Sequence, residues 1–201
     1  MTENLRGIGG LKAVLVPMLW LGLAINCPEI IAGFAAYGGE WQSEIIPGYN
    51  VYGSIQIISL ILTFITYCVF GRWIWVASKN LWDHYVLNYS PASNIWWHAV
   101  PFMNLFKPFE AMREVWSRSM GVSEGYGDEA PSHLKIWWGC WVAGNIVTNI
   151  AARIPAEQLA TLLQIGATAL SIVAYYFVIR IVKEITDAQE KGIGGVSEIF
   201  A

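Results

Sequence analysis

Four stretches of this chain are apolar for twenty residues or more, at about 12–37, 52–75, 134–153 and 159–181. A hydrocarbon core of about 30 Å takes roughly 20 residues of helix to cross, and inside it every backbone N–H and C=O must pair within the protein. These runs therefore predict an all-α integral membrane protein with four transmembrane helices, organised as a single multi-span domain over residues 1–201. Only 13% of the residues are charged, against about 25% in soluble domains, and mean hydropathy is +0.44. The 12 Lys and Arg nearly balance the 15 Asp and Glu, which leaves no basic surface of the size a nucleic-acid partner needs.

A fifth apolar run, "NIWWHAVPFMNLF" at about 94–106, is too short to follow the others. As a straight helix it would reach about 20 Å. Charge placement points the same way, because Lys and Arg collect in short cytoplasmic loops. If the run does not cross, Arg6, Lys12, Arg72, Lys79, Lys107, Arg113, Arg118, Lys135, Arg180, Lys183 and Lys191 share one side with both termini, and only Arg153 lies opposite. If it does cross, the bias vanishes. The expected topology is four spans with both termini cytoplasmic, and a shallow or re-entrant segment that enters from the cytoplasmic side.

The N-terminal run begins like a signal peptide, with Arg6 and Lys12 before Ala13 to Ile25. No A-x-A-like cleavage site follows, and the "LAIN" before Cys27 has Asn26 where a lipoprotein box needs a small residue. An uncleaved first span is expected, with lipidation at Cys27 as the alternative. Cys68 and Cys140 are isolated and no CxxC or zinc spacing occurs, so three unpaired, packing cysteines are expected.

Around the fifth run the residues suggest a defined shape. Pro91 opens it, Trp96 and Trp97 suit the headgroup layer, and Pro101 interrupts any helical ladder. Pro108 fits a first helical position and Glu110 a first turn. From about 108 to 120, Phe109, Met112, Val115, Trp116 and Met120 recur at helical spacing, opposite Glu110, Arg113, Glu114, Ser117 and Arg118. That pattern is an amphipathic surface helix, with Glu114 and Arg118 as an i,i+4 pair. "VSEGYGDEAPS" at 122–132 reads as a loop, and the tail at about 192–201 as flexible. The "GIGG" at 7–10 recurs at 192–195, but no strand or Lys accompanies it to form a phosphate cradle.

These stretches also carry a resemblance. "RWIWVASKN" at 72–80, Ser90-Pro91, and "WWHAVPFMNLFKPFEAMREVWSRS" at 96–119 resemble a bacterial membrane family catalogued as domain of unknown function 4328. The matching positions are Arg72, Trp73, Asn80, Pro91, Trp97, Pro101, Asn104, Lys107, Pro108, Arg113, Glu114 and Trp116, within a resemblance that covers about 50–185. His98 stands where many members carry a small or apolar residue. The resemblance implies the bacterial cytoplasmic membrane and a multi-span helical domain, and it implies no activity.

Within the spans, Glu29 is the ionisable residue that stands out, beside Asn26 and Pro28. A carboxylate at that depth normally has a partner or a task. Gln56, Asn145, Asn149 and Gln164 fall at similar depth, with Arg153 at the outer end of the third span. Either these groups are interhelical glue with Glu29 and Arg153 as a lock, or they line a polar solute or proton path. Gly139-x-x-x-Ala143 and Ala167-x-x-x-Ser171 allow close helix packing within one chain or between two.

His84, His98 and His133 are expected on the cytoplasmic side, in contact with headgroups; a metal site from His98, His133 and Cys140 would need the fold to converge them. No Ser/His/Asp set, paired-carboxylate cleft, HExxH or nucleotide loop is readable, so neither an enzyme nor a cofactor is expected. Two function classes remain. One is a non-catalytic module whose cytoplasmic collar of Trp73, Trp75, Trp82, Trp96, Trp97, Trp116, Trp137 and Trp138 holds membrane lipids, a partner subunit or another copy of the chain. In it Arg72, Lys107, Arg113 and Arg118 would meet anionic headgroups. The other is a small-solute or ion transporter or channel gated by the fifth run, with Asn104 and the Glu29 cluster along its path.

Overall fold

The computed structural model describes the backbone of residues 7–38, 49–121 and 130–199, with side chains at 7–35, 37–38, 57–121 and 130–191. Among the described residues every regular element is helical: α1 (Ile8–Tyr37), α2 (Tyr49–Trp82), α3 (Ser93–Trp96), 3-10 turns at Trp97–Ala99 and Met103–Leu105, α4 (Lys107–Ser119), α5 (Ser132–Ala151) and α6 (Glu157–Ile199). Pro17 and Pro28 lie inside α1 without ending it, a placement more typical of membrane helices than of soluble ones. Glu157 opens α6, where the positive end of the helix dipole favours a carboxylate.

Three helices are long and apolar enough to cross a membrane, over Ile8–Ala35, Ile57–Trp82 and Glu157–Lys191. They correspond to the first, second and fourth of the expected runs. The third run forms α5, whose 20 residues reach about 30 Å. Its Trp137, Trp138, Trp141, Asn145 and Asn149 make it less apolar than the other three. The apolar side chains of α2 are exposed on several sides at once: Ile57, Ile58, Leu60, Ile61 and Phe64 all lie open. Such a surface is a liability in water and is what a bilayer-facing helix presents.

Both helices outrun their lipid-length windows: α2 continues to Trp82, and α6 runs on past 181 to Ile199, so that only its course beyond Gly192 departs from the flexible tail expected there. The stretch "KEITDAQEK" is rich in strong helix formers and carries the ladder onward. Residues 122–129, most of the expected loop, and the last two of the tail lie outside the described residues.

The chain resolves into two compact units, because its long helices each contribute a part to both. One comprises Met18–Thr66 and Ile136–Phe177. There a Cβ on Gly33 would sit 2.6 Å from Ile165 Cγ1, and one on Gly22 would sit 2.9 Å from Tyr175 Cε1, so glycine lets α1 press against α6. α5 approaches α6 at Gly144, whose missing Cβ would lie 3.5 Å from the Ala167 carbonyl oxygen and 3.8 Å from Ser171 Oγ. The Ala167/Ser171 pair thus serves packing within the chain.

The other unit comprises Met1–Pro17, Tyr67–Lys135 and Val178–Ala201. Its core is built from Trp73, Ala77 and Leu81 on α2, Val115 on α4, Leu134 on α5, and Ile181, Val182 and Ile185 on α6, all buried at three-to-four spacing along their helices. Lys12 on α1 reaches Asp187 at 2.6 Å and Glu190 at 3.5 Å.

Candidate functional site

The family-motif residues fall within the second of these units, where polar side chains continue the apolar stripes of α2 and α6. On α6 the buried series Val178, Ile181, Val182 and Ile185 runs on as Thr186 and Gln189. On α2 the buried series Trp73, Ile74, Ala77 and Leu81 includes Ser78 and Asn80. Buried polar groups need partners, and these find one another. Trp73, 0% exposed, donates its Nε1–H to Thr186 Oγ1 at 3.1 Å. Gln189, 1% exposed, accepts from Asn80 Nδ2 at 3.3 Å and donates through Nε2 to the Ala77 carbonyl at 3.1 Å and to Ser119 Oγ at 2.9 Å. That last bond ties the end of α4 to α2 and α6.

A second set of bonds fixes the chain between α2 and α4. Ser78 Oγ donates to the Ile74 carbonyl and accepts from Asn94 Nδ2 at 2.5 Å, which anchors α3. Ser93 Oγ donates to the Ser90 carbonyl at 2.7 Å, beside the buried Pro91. Glu114 closes the other end: its Oε1 accepts from Asn88 N at 2.7 Å and Asn88 Nδ2 at 3.0 Å, and its Oε2 accepts from Tyr89 N at 3.1 Å. The Tyr89 hydroxyl donates to Glu110 Oε2 at 2.5 Å, and Lys107 Nζ lies 2.7 Å from the same oxygen and 3.1 Å from the hydroxyl. Lys107 and Tyr89 hold the Glu110 carboxyl below its usual range. Glu110 and Tyr89 in turn raise the Lys107 ammonium, and burial, with the bond to Glu110, raises the Tyr89 hydroxyl.

This frame presents an apolar loop. From Ile95 to Phe106 the side chains of Ile95, Trp96, Val100, Phe102, Met103, Leu105 and Phe106 are exposed, Trp96 by 69% and Phe102 by 79%. Phe102 takes φ 64° and is the one non-glycine with positive φ among the described residues. A bulky residue in that region costs of order 1–3 kcal/mol, and the strain sits at the most exposed aromatic of the loop. Asn94 Oδ1, Trp97 Nε1 and Asn104 Oδ1 are buried there with no hydrogen-bond partner among the described residues.

Two expectations are revised by this packing. The amphipathic stripe of α4 is not free: Pro108, Ala111, Met112 and Val115 are buried in the protein, with Phe109 and Trp116 half-buried. Helical spacing marks an apolar stripe but cannot say whether lipid or protein covers it. The Trp collar divides as well. Trp73, Trp137 and Trp138 are buried, while Trp82 and Trp96 are exposed. Trp75 lies under the Arg72 guanidinium, whose Cζ is 4.6 Å from the ring centroid. Trp116 donates to Glu184 Oε2 at 3.1 Å, an oxygen 2.9 Å from His133 Nε2, while Arg180 Nε donates to Oε1 at 2.7 Å.

The Glu29 cluster is not drawn together through its amides. Asn26 Nδ2 donates to the Gly22 carbonyl, Asn145 Nδ2 to that of Trp141 and Asn149 Nδ2 to that of Asn145, each one turn back on its own helix. Glu29 is half-buried, Arg153 and Gln164 are exposed, and no Glu29–Arg153 ion pair occurs among the described residues. The side chain of Gln56 lies outside the described residues. Among the described residues no three His, Cys, Asp or Glu side chains group as a metal site would.

Described elements that are all helical, three of them long and apolar enough to cross a membrane, with many exposed apolar side chains, give the build of a multi-pass membrane protein. Residues 48–187 match the family model described as Domain of unknown function (DUF4328), and the chain belongs to that family. No curated protein and no solved structure matches it. The match spans nearly the same stretch as the resemblance carried by the motif residues.

Proposed function

We propose that this protein is a non-catalytic module of the bacterial cytoplasmic membrane, with four spans and both termini cytoplasmic, that seats its exposed 95–106 loop in the cytoplasmic leaflet to hold lipid. α5 serves as the fourth span, since its 20 residues match the hydrocarbon thickness. The eleven-to-one distribution of Lys and Arg supports the orientation. The observation that carries the proposal is the loop itself: seven exposed apolar side chains mounted on a hydrogen-bonded frame, with Trp96 and Phe102 outermost. A free apolar loop would collapse onto the protein; one fixed at both ends in an exposed, strained conformation suits insertion into an apolar medium. The loop is too short to cross, so the insertion is shallow or re-entrant.

Native mass spectrometry of the full chain in mild detergent tests this. Retained phospholipid should fall when Trp96 and Phe102 are both replaced by Ser and stay unchanged when Tyr176, exposed on α6, is replaced by Ser. Equal retention in both variants would overturn the proposal.

A further inference from the structure

We infer that α5 pairs with α5 of a second copy of this chain through a stripe of Asn145, Thr148 and Asn149. All three side chains are exposed and lie within about 100° of the helix circumference. Each Asn spends one N–H on the carbonyl four residues back, at 2.7 Å for Asn145 and 2.8 Å for Asn149. The second N–H and the Oδ1 of each remain without a partner among the described residues, and lipid tails supply neither donor nor acceptor. Asn145 lies about 9 Å inside the end of α5 at Ala151, deep enough to be surrounded by hydrocarbon when the helix spans. A covering group must offer donors and acceptors together with an apolar flank to match the exposed Ile146 and Ile150.

The same stripe on a second copy meets those terms. An amide with one free N–H and one free Oδ1 is its own complement, so two Asn145 side chains related by a two-fold axis along the membrane normal can bond reciprocally. No charge lies on α5 from Ile136 to Ala151, so like charges do not oppose that approach. The stripe also accounts for α5 being less apolar than the three candidate spans: its amides face a protein neighbour.

This inference rests on α5 crossing the bilayer, and one set of variants separates the two. In the full chain, in membranes, with Cys27, Cys68 and Cys140 replaced by Ala, Thr148→Cys should form a disulfide-linked dimer under mild oxidation. Tyr176→Cys, exposed on α6, should not. Energy transfer between labelled copies should show dimer dissociation rising about three- to thirtyfold with Asn145→Leu and little changed with Asn145→Gln. Arg153→Cys should react with an impermeant maleimide added from outside. Reaction only after permeabilisation would overturn the crossing of α5 and the pairing with it. Outside reaction with no Thr148→Cys dimer, or with Thr148→Cys reacting freely with aqueous maleimide instead, would overturn the pairing and leave the topology standing.

Discussion

Replacing Gln189 by Leu probes the frame that holds the loop. Gln189 is 1% exposed, and its amide accepts one hydrogen bond from Asn80 and donates one each to the Ala77 carbonyl and Ser119 Oγ. Leu occupies nearly the same volume, so the cavity contribution is small and the loss is that of three bonds. At about 1 kcal/mol net for each, the substitution costs about 3 kcal/mol, with more where a buried donor loses its acceptor. For a chain of this size that lowers Tm by about 6–12 °C. Tryptophan fluorescence of the full chain in mild detergent, followed on heating, reads the shift, with Gln164→Leu on the exposed face of α6 as the control that stays within about 2 °C. A Gln189→Leu protein melting together with that control would refute the idea that buried polar bonds fasten α4 to α2 and α6.

Three further outcomes are expected. Phe102→Gly should relieve the strain at φ 64° and raise thermal stability by about 1 kcal/mol in detergent, while lowering phospholipid retention; a gain in both would count against a membrane role for the strain. Gly33→Ala should cost about 1–3 kcal/mol, because its Cβ would fall 2.6 Å from Ile165 Cγ1, whereas Gly166→Ala, with nothing within 4 Å, should be neutral or slightly stabilising in the same melts. The Tyr89–Lys107–Glu110 contact should be most stabilising between about pH 5 and 10. Glu110 has a depressed value, so its contribution is lost as pH falls through the folded value; Lys107 has a raised one, so its contribution is lost as pH rises through the folded value. The melting temperature followed by tryptophan fluorescence should fall at both extremes, and Glu110→Gln should flatten the acid limb.

Much of the helical frame is legible from run length and hydropathy, which place three long helices. Those helices continue beyond the spans because helix formers outside the lipid-length window extend a ladder as readily as apolar residues inside it. The site is less legible. Trp73, Asn80 and Glu114 are flagged by the motif resemblance, but their partners Thr186, Gln189, Asn88 and Tyr89 are not, since a hydrogen bond between residues 26 or 113 positions apart leaves no local pattern. One signal was available: Thr186 and Gln189 prolong the apolar stripe of α6, and polar residues on a buried face must find each other. The α4 stripe shows the converse, because amphipathic spacing looks the same whether the apolar side meets lipid or Ala111, Met112 and Val115 pack into a protein core.

The depth of the loop tip tests the central claim most directly. With the native cysteines replaced by Ala, a nitroxide attached to Phe102→Cys in reconstituted bilayers can be compared with one at Lys191→Cys, exposed on the cytoplasmic stretch of α6. The account expects the label at 102 to relax faster with dissolved oxygen than with a water-soluble nickel chelate, at a depth of about 5–10 Å below the cytoplasmic phosphates, and the label at 191 to respond to nickel added on the cytoplasmic side. Nickel accessibility at 102 equal to that at 191 would place the loop in water and contradict it.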